Sequence, residues 1–292
     1  MVIEYGHEEK SWERFSYGWA YINYIKILLP CQTHSVAILQ VIWYRYLGLN
    51  MPLRHEKNKV VISLGGSLVV PQTGIDADFL SSFDSFIRQK IEEDNNSQFF
   101  IIVGGGSTTR QYQKAARTVM GEELPPEDLD WLGIHVTRLN AHLLRTIFRD
   151  IAHPVVLDRY DTIRKVDEQI VIASGWRPGW STDFCATMVC EDYNVDTVIN
   201  LSNIEKVYDS DPKINPNAVP IDDITWSGFQ KLVGEKWTPG MNVPFDPIAS
   251  KKAAELGLTV AIMDGKNLEN LENYFQKKPF IGTTITPDLD SQ

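Results

Sequence analysis

The hydrophobic positions of this chain fall into short unbroken runs, separated by longer stretches in which they recur every three or four residues. Val60-Val61-Ile62-Ser63-Leu64, Phe99-Phe100-Ile101-Ile102-Val103, Ile170-Val171-Ile172-Ala173, Thr197–Leu201 and Leu258–Met263 are runs of the first kind. Their β-branched and aromatic content predicts strands buried on both faces. Val155-Val156-Leu157 predicts a further short strand. Asp76 to Glu93 places Phe79, Leu80, Phe83, Phe86, Ile87 and Ile91 near helical spacing. Gln111–Met120, Trp131–Ile151, Phe184–Tyr193 and Pro247–Leu256 also read as helices, while Glu122–Asp128, acidic and holding Pro125-Pro126, reads as a loop. Strand and helix thus alternate from Lys59 onward. This predicts an α/β fold, a three-layer α/β/α sandwich around a mainly parallel sheet. Ligands of such sheets bind at the carboxyl ends of the strands, where the strand order switches.

Two of the predicted strands run directly into glycines. Gly104-Gly105-Gly106 follows Val103, with Arg110 about one turn into the next helix, and Gly65-Gly66-Ser67 follows Leu64. Bare amides at a helix start bind anions, because unpaired N–H groups and the helix dipole point the same way, and an arginine adds a planar fork for phosphate oxygens. Neither loop has the Gly-x-Gly-x-x-Gly spacing of a dinucleotide site or the Lys-Ser/Thr of a P-loop. Close packing alone also accounts for glycines at such turns. Two loops of this kind suggest two phosphate groups, or one triphosphate held from two sides.

Composition narrows the ligand class. The 292 residues suffice for one large α/β domain or two lobes, and a formal net charge of −10 argues against general nucleic-acid binding. Nucleotides need only local positive groups, for which Arg110 and Lys251 are candidates. Three cysteines without metal spacing, Cys31, Cys185 and Cys190, imply a reducing, cytoplasmic compartment and buried thiols. The first fifty residues differ from the rest, being crowded with aromatics. Their two apolar stretches, Tyr17–Leu29 and Ser35–Leu49, are interrupted by Lys26 and Arg45 and fall short of the ~18 clean residues of a membrane span. Three readings fit residues 1–57: an accessory helical hairpin, a weak membrane-surface anchor, or a segment outside the natural product with Met51 as the start.

The ordered set Gly65-Gly66-Ser67, Gly104-Gly105-Gly106 with Arg110, Ser181-Thr182-Asp183 and Val207-Tyr208-Asp209-Ser210-Asp211-Pro212 resembles the amino acid kinase family. Within it, Asp130-Trp131-Leu132-Gly133-Ile134-His135-Val136-Thr137-Arg138-Leu139-Asn140-Ala141 looks most like the Asp-x-x-Gly-Ile-x-x-Thr-Arg-x-Asn-Ala run of the archaeal-type UMP kinases. Pro178-Gly179, Asp246-Pro247 ahead of Lys251, and Gly282-Thr283-Thr284-Ile285 match as well. The resemblance covers about residues 58 to 287.

It implies phosphoryl transfer from ATP, with magnesium, to the phosphate of UMP. It implies a UMP-binding lobe over 58–173, an ATP-binding lobe over 174–292, and a homo-oligomer, a hexamer in this subgroup. Arg110, Lys251 and Asp183 would be catalytic. Gly105, Asp130, Trp176, Arg177, Pro178, Gly179, Trp180, Ser181 and Thr182 would hold UMP, with Asp130 on the ribose or, by its position, capping the next helix. Gly65, Gly66, Ser67, Gly106, Arg110, Ser202, Asn203, Tyr208 and Asp211 would hold ATP. No metal site built from protein groups alone is implied. Several residues depart from the family pattern. Trp176 and Trp180 stand where small or polar residues are usual, so they either stack on uracil or plug the loop. Ser63 and Ser107 stand where lysines are frequent, and Glu205-Lys206 replaces Asp-Gly. His135 and His142, two turns apart, read as packing or subunit-contact residues. Rival readings within the fold are an acetylglutamate or isopentenyl phosphate kinase, and a nucleotide-binding storage protein without turnover.

Overall fold

The computed structural model describes residues 57–212, 214–234 and 243–288. Residues 1–56, on which the three readings of the N-terminal segment and Cys31 fall, lie outside the described residues. Element order is β1 (Asn58–Leu64), α1 (Gly66–Val69), α2 (Ala77–Glu93), β2 (Ser97–Val103), α3 (Gly106–Met120), α4 (Pro126–Ile147), β3 (Ile170–Ala173), α5 (Thr182–Tyr193), β4 (Thr197–Ser202), β5 (Val207–Tyr208), β6 (Pro220–Ile221), β7 (Asp223–Thr225), α6 (Trp226–Val233), α7 (Pro247–Glu255), β8 (Thr259–Asp264), α8 (Leu268–Phe275) and β9 (Thr283–Thr286).

Seven strands form one sheet in the order β3-β2-β1-β4-β8-β9-β7. The pairs from β3 through β8 are parallel, β9 runs antiparallel to β8, and β7 lies parallel to β9. β5 and β6 form a separate antiparallel pair. The chain builds outward from β1 to β2 and β3, then crosses to the other side of β1 for β4 and β8. The switch point therefore falls between β1 and β4, where Ser63 pairs with Asn200 and Leu64 with Leu201.

Alternation along the central strands splits the core into two clusters. Ile62, Leu64, Phe99 and Ile101 face α2, α4 and α8, packing on Phe83, Ile87, Leu144 and Leu271. Val61, Phe100 and Ile102 face α5, α6 and α7, packing on Cys185, Val189, Trp226, Phe229 and Ala253. This is the three-layer sandwich the hydrophobic runs predict. Cys185 and Cys190 are buried free thiols, and burial pushes Cys185 up to about 12.

Two local expectations are corrected. The Pro125-Pro126 segment is the start of α4 rather than a loop, because Pro126 fits the first helical turn and Glu127 and Asp128 complement its dipole. Asp130 is consequently inside the helix and does not cap it. Val155–Leu157 forms no strand: only Leu157 bridges to Ala173, while Ala152 bridges to Ile170.

Candidate active site

The two glycine loops meet at the switch point. Gly65 N donates to the Leu201 carbonyl (2.7 Å) and Gly104 N to the Leu64 carbonyl (2.9 Å), so both loops leave the sheet side by side. A Cβ on Gly66 would lie 2.2 Å from the Gly106 nitrogen and 2.4 Å from the Gly104 carbonyl carbon. Gly106 itself has φ +67°. Bulk and handedness therefore already require these glycines, before any ligand is considered. Asn140, buried on α4, braces the loop by donating to the Gly104 (2.8 Å) and Gly105 (3.3 Å) carbonyls. Ser107 N and Oγ bond to the Val70 and Pro71 carbonyls. No side chain caps α3 at Gly105, and its first turn holds no acidic residue, so its positive end remains available to an anion. Arg110 is exposed beside it, within 3.5 Å of Ser67 Oγ, which brings one residue of each loop together.

Asp183 sits at the centre of the switch point. Its Oδ1 accepts from Ser63 Oγ (2.9 Å) at the end of β1 and from Asn200 Nδ2 (3.0 Å) on β4. Burial, reinforced by the neighbouring Asp246 carboxylate, pushes Asp183 up to about 7; the bonds from Ser63, the Asp246 backbone and Asn200 offset part of this. Asp246 is 3 % exposed. It caps α7 by accepting from Ile248 N (2.7 Å), and it accepts a short hydrogen bond from Ser181 Oγ. Ser181 in turn caps α5 by accepting from Phe184 N (3.0 Å). One chain of bonds thus ties together the starts of α5 and α7, with Thr182 and Asp183 in the first turn of α5. Burial raises the Asp246 carboxyl too, opposed by these hydrogen bonds.

The loop 174–181 is fastened to α4. Gly179 N donates to Asp130 Oδ2 (2.8 Å), Gly175 N to Thr137 Oγ1 (2.9 Å), and Arg138 Nη2 to the Trp176 carbonyl (3.3 Å). Desolvation raises the Asp130 carboxyl above its usual range, partly offset by the Gly179 amide. Gly179, at φ +82°, is at a position that favours glycine. Trp176 and Trp180 pack on the α5–α7 core, with ring centroids 5.0 Å apart at 88°, and Arg177 stacks on both.

On the other side of Asp183, Ser202 ends β4 and its Oγ accepts from Ile204 N (3.3 Å). Asn203 and Asp211 are exposed and Tyr208 is half-buried in β5. Lys206 pairs with Asp222. Lys251 is exposed on α7, one turn beyond Asp246, and makes no ion pair among the described residues. His135 and His142 are exposed on α4, with His135 beside Trp131 (6.1 Å between ring centroids).

The structure therefore brings Gly65, Gly66, Ser67, Gly104, Gly105, Gly106, Arg110, Thr182 and Asp183 to the carboxyl ends of β1, β2 and β4. It adds Ser63, Asn140, Asn200 and Asp246, to which sequence reading assigns no role. Asn140 and Asp246 lie inside quoted motifs, while nothing local marks Ser63 and Asn200 as partners of one carboxylate.

The sequence model of the Amino acid kinase family matches residues 58–264. The uridylate kinase of Methanocorpusculum labreanum is 32% identical over 230 residues, spanning 78% of this chain and 95% of that protein. The uridylate kinase of Thermococcus gammatolerans is 36% identical over 232 residues, 78% of this chain and 100% of that protein. The crystal structure of uridylate kinase from Archaeoglobus fulgidus superposes with a TM-score of 0.66 at 30% identity, covering 78% of this chain and 100% of that one.

Proposed function

The chain belongs to the amino acid kinase family, and we propose that within it the protein is a UMP kinase, transferring the γ-phosphoryl group of ATP to UMP to give UDP and ADP. The observation that carries this reading is the 2.8 Å bond from Gly179 to Asp130, which joins the Asp130–Ala141 helix segment to the loop leading into Asp183. It supports one acceptor nucleotide lying between α4, the 174–181 loop and Gly105.

In the proposed reaction an oxygen of the UMP phosphate attacks the γ-phosphorus while the bond to the β–γ bridging oxygen breaks, and ADP leaves with that electron pair. The attacking oxygen is already anionic, so no general base is needed; catalysis consists of positioning and charge neutralisation. UMP would contact Gly105, Trp176, Arg177, Pro178, Gly179, Trp180, Ser181 and Thr182, with Asp130 exchanging its Gly179 bond for the ribose hydroxyls. ATP would lie along Gly65, Gly66, Ser67, Gly106, Ser202, Asn203, Tyr208 and Asp211. Arg110, beside the start of α3, would neutralise charge between the two nucleotides, and Lys251 would reach the γ-phosphate from α7. The lobes would be 58–173 for UMP and 174–292 for ATP.

Among the described residues no group of three or more His, Cys, Asp or Glu side chains is placed to hold a metal. The donor chemistry nonetheless suits a magnesium ion carried on the ATP phosphates: two adjacent carboxylates, Asp183 and Asp246, are both raised in proton affinity, and a nearby cation relieves that excess negative charge. When bound, the ion would supply charge neutralisation on the β- and γ-phosphates. A cytoplasmic location and a homohexamer belong to this proposal on the resemblance alone. No helix among the described residues is long and apolar enough to cross a membrane.

A coupled ADP-release assay over UMP, CMP, AMP, acetylglutamate and isopentenyl phosphate tests the reading. Clear preference for UMP is expected. Absent turnover with UMP, or equal turnover across the panel, overturns it.

A further inference from the structure

Asn140 holds two successive peptide groups with one side-chain amide. It is 5 % exposed on α4, and its Nδ2 donates to the Gly104 carbonyl (2.8 Å) and to the Gly105 carbonyl (3.3 Å). A trans peptide is planar, and its C=O and N–H point in opposite directions. The Gly104 carbonyl shares its plane with the Gly105 N–H, and the Gly105 carbonyl shares its plane with the Gly106 N–H. Holding both carbonyls on Asn140 therefore sets the direction of both N–H groups and turns them away from it. Among the described residues, neither N–H has a hydrogen-bond acceptor in the protein.

The brace matters because glycine resists rotation so weakly. A peptide that turned over here would present a carbonyl oxygen where an N–H now points, and so reverse the sign of the local dipole. Packing limits the loop on one side but does not orient it. The place a Gly105 Cβ would take is filled by Thr109, whose Oγ1 lies 1.9 Å and Cβ 3.0 Å from that point, with Val136 Cγ1 at 3.5 Å. Thr109 Oγ1 is buried and makes no hydrogen bond, so it fills space without pulling on either peptide. Among the described residues, Asn140 supplies the side-chain bonds that hold the Gly104 and Gly105 carbonyls.

Resting on the proposed phosphoryl transfer, we propose that Asn140 is a positioning residue: from behind the loop, without touching either nucleotide, it aims the Gly105 and Gly106 N–H groups at the phosphoryl group in transfer. Charge on the oxygens of that group then meets donors already in place, and the loop need not reorganise as the reaction proceeds. Asn140 is on the same helix as Asp130, ten residues further on, which is ~15 Å along the axis. One rigid element thus carries both the residue proposed for the ribose and the brace of the glycine loop, and keeps the acceptor and the two amides in register.

The test compares the wild type with Asn140→Leu and Asn140→Asp by thermal unfolding, steady-state kinetics and the amide resonances of glycine labelled with nitrogen-15 and carbonyl carbon-13. Only Gly66, Gly105 and Gly106 follow another glycine, so a carbonyl-filtered spectrum contains these amides alone. Leucine fills the space without a donor, and an ionised aspartate keeps the shape but only accepts. In the wild type, inorganic pyrophosphate is expected to move the Gly105 and Gly106 resonances downfield. In the variants that movement should vanish, and kcat per folded molecule should fall ~10-fold or more with a smaller change in KM for either nucleotide. Wild-type Gly105 and Gly106 resonances that pyrophosphate leaves in place overturn the proposal, even if both variants fail to fold. So do variants that melt earlier but keep the wild-type kcat, since Asn140 would then be a structural brace and nothing more. If the wild type fails to phosphorylate UMP, the functional reading fails instead, and the aim of the two amides is still read from the pyrophosphate spectra.

Discussion

Gly66 and Gly106 touch backbone to backbone: a Cβ on Gly66 would sit 2.2 Å from the Gly106 nitrogen, and one on Gly106 would sit 2.3 Å from the Gly66 carbonyl oxygen. The atoms in the way are main chain, so no rotamer change relieves the clash. Gly66→Ala is expected to push the two loops apart and lower stability by at least ~2 kcal/mol, as overpacking at rigid sites does. Chemical denaturation measures this. A variant as stable as the wild type would show that the two loops are not in backbone contact.

Arg110 is exposed and, among the described residues, its side chain bonds to Ser67 alone. Arg110→Ala is therefore expected to fold normally and to lose ~10²-fold or more in turnover, the scale seen when one preorganised donor to transition-state charge is removed. A loss of tenfold or less in kcat would move Arg110 to a supporting role.

Asp183 carries a folded-state pKa of about 7 against an ordinary value of 3.8. A raised carboxyl favours the protonated folded state. Its contribution to the stability of the ligand-free protein is full below pH ~4 and is lost as pH rises through about 7. Asp183→Asn is expected to flatten that part of the stability–pH curve. If the ionised form is the active one, wild-type kcat/KM should rise with pH up to about 7, and magnesium–ATP should lower the apparent midpoint. Stability curves of wild type and variant that run parallel across this range would remove Asp183 as the titrating group.

Ser181 and Asp246 link the starts of α5 and α7. Ser181→Ala removes both the α5 cap and the bond to a buried carboxylate, so a cost of ~1–3 kcal/mol is expected. Because Asp183 is in the first turn of α5, activity should fall as well. Thermal unfolding and kcat measured on one preparation check the two together; a Tm shift without a change in kcat would make the link purely structural.

Much of this was legible along the chain. Buried strands on both faces have no polar alternation, so β1 through β4 and β8 stand out as apolar runs, and their spacing leaves room only for crossover helices. The short strands β5, β6, β7 and β9 gave no such signal: two to four residues with mixed exposure carry too little periodicity, and their pairing depends on distant partners. The start of α4 was hidden because Pro125-Pro126 reads as a break, although Pro126 suits a first turn.

The site divides in the same way. The sequence by itself determined the glycine loops, Arg110, Asp130, the Ser181-Thr182-Asp183 turn and the family they resemble, because each is a local pattern of backbone freedom, capping or charge. Only the tertiary structure decided that Gly66 and Gly106 are packed against each other, that Ser63 and Asn200 share the Asp183 carboxylate, and that Trp176 and Trp180 hold Arg177. Those relationships join residues up to 137 positions apart, from Ser63 to Asn200. They exist because the strand order switches between β1 and β4, which brings the ends of two neighbouring strands to one carboxylate where no local propensity could place it.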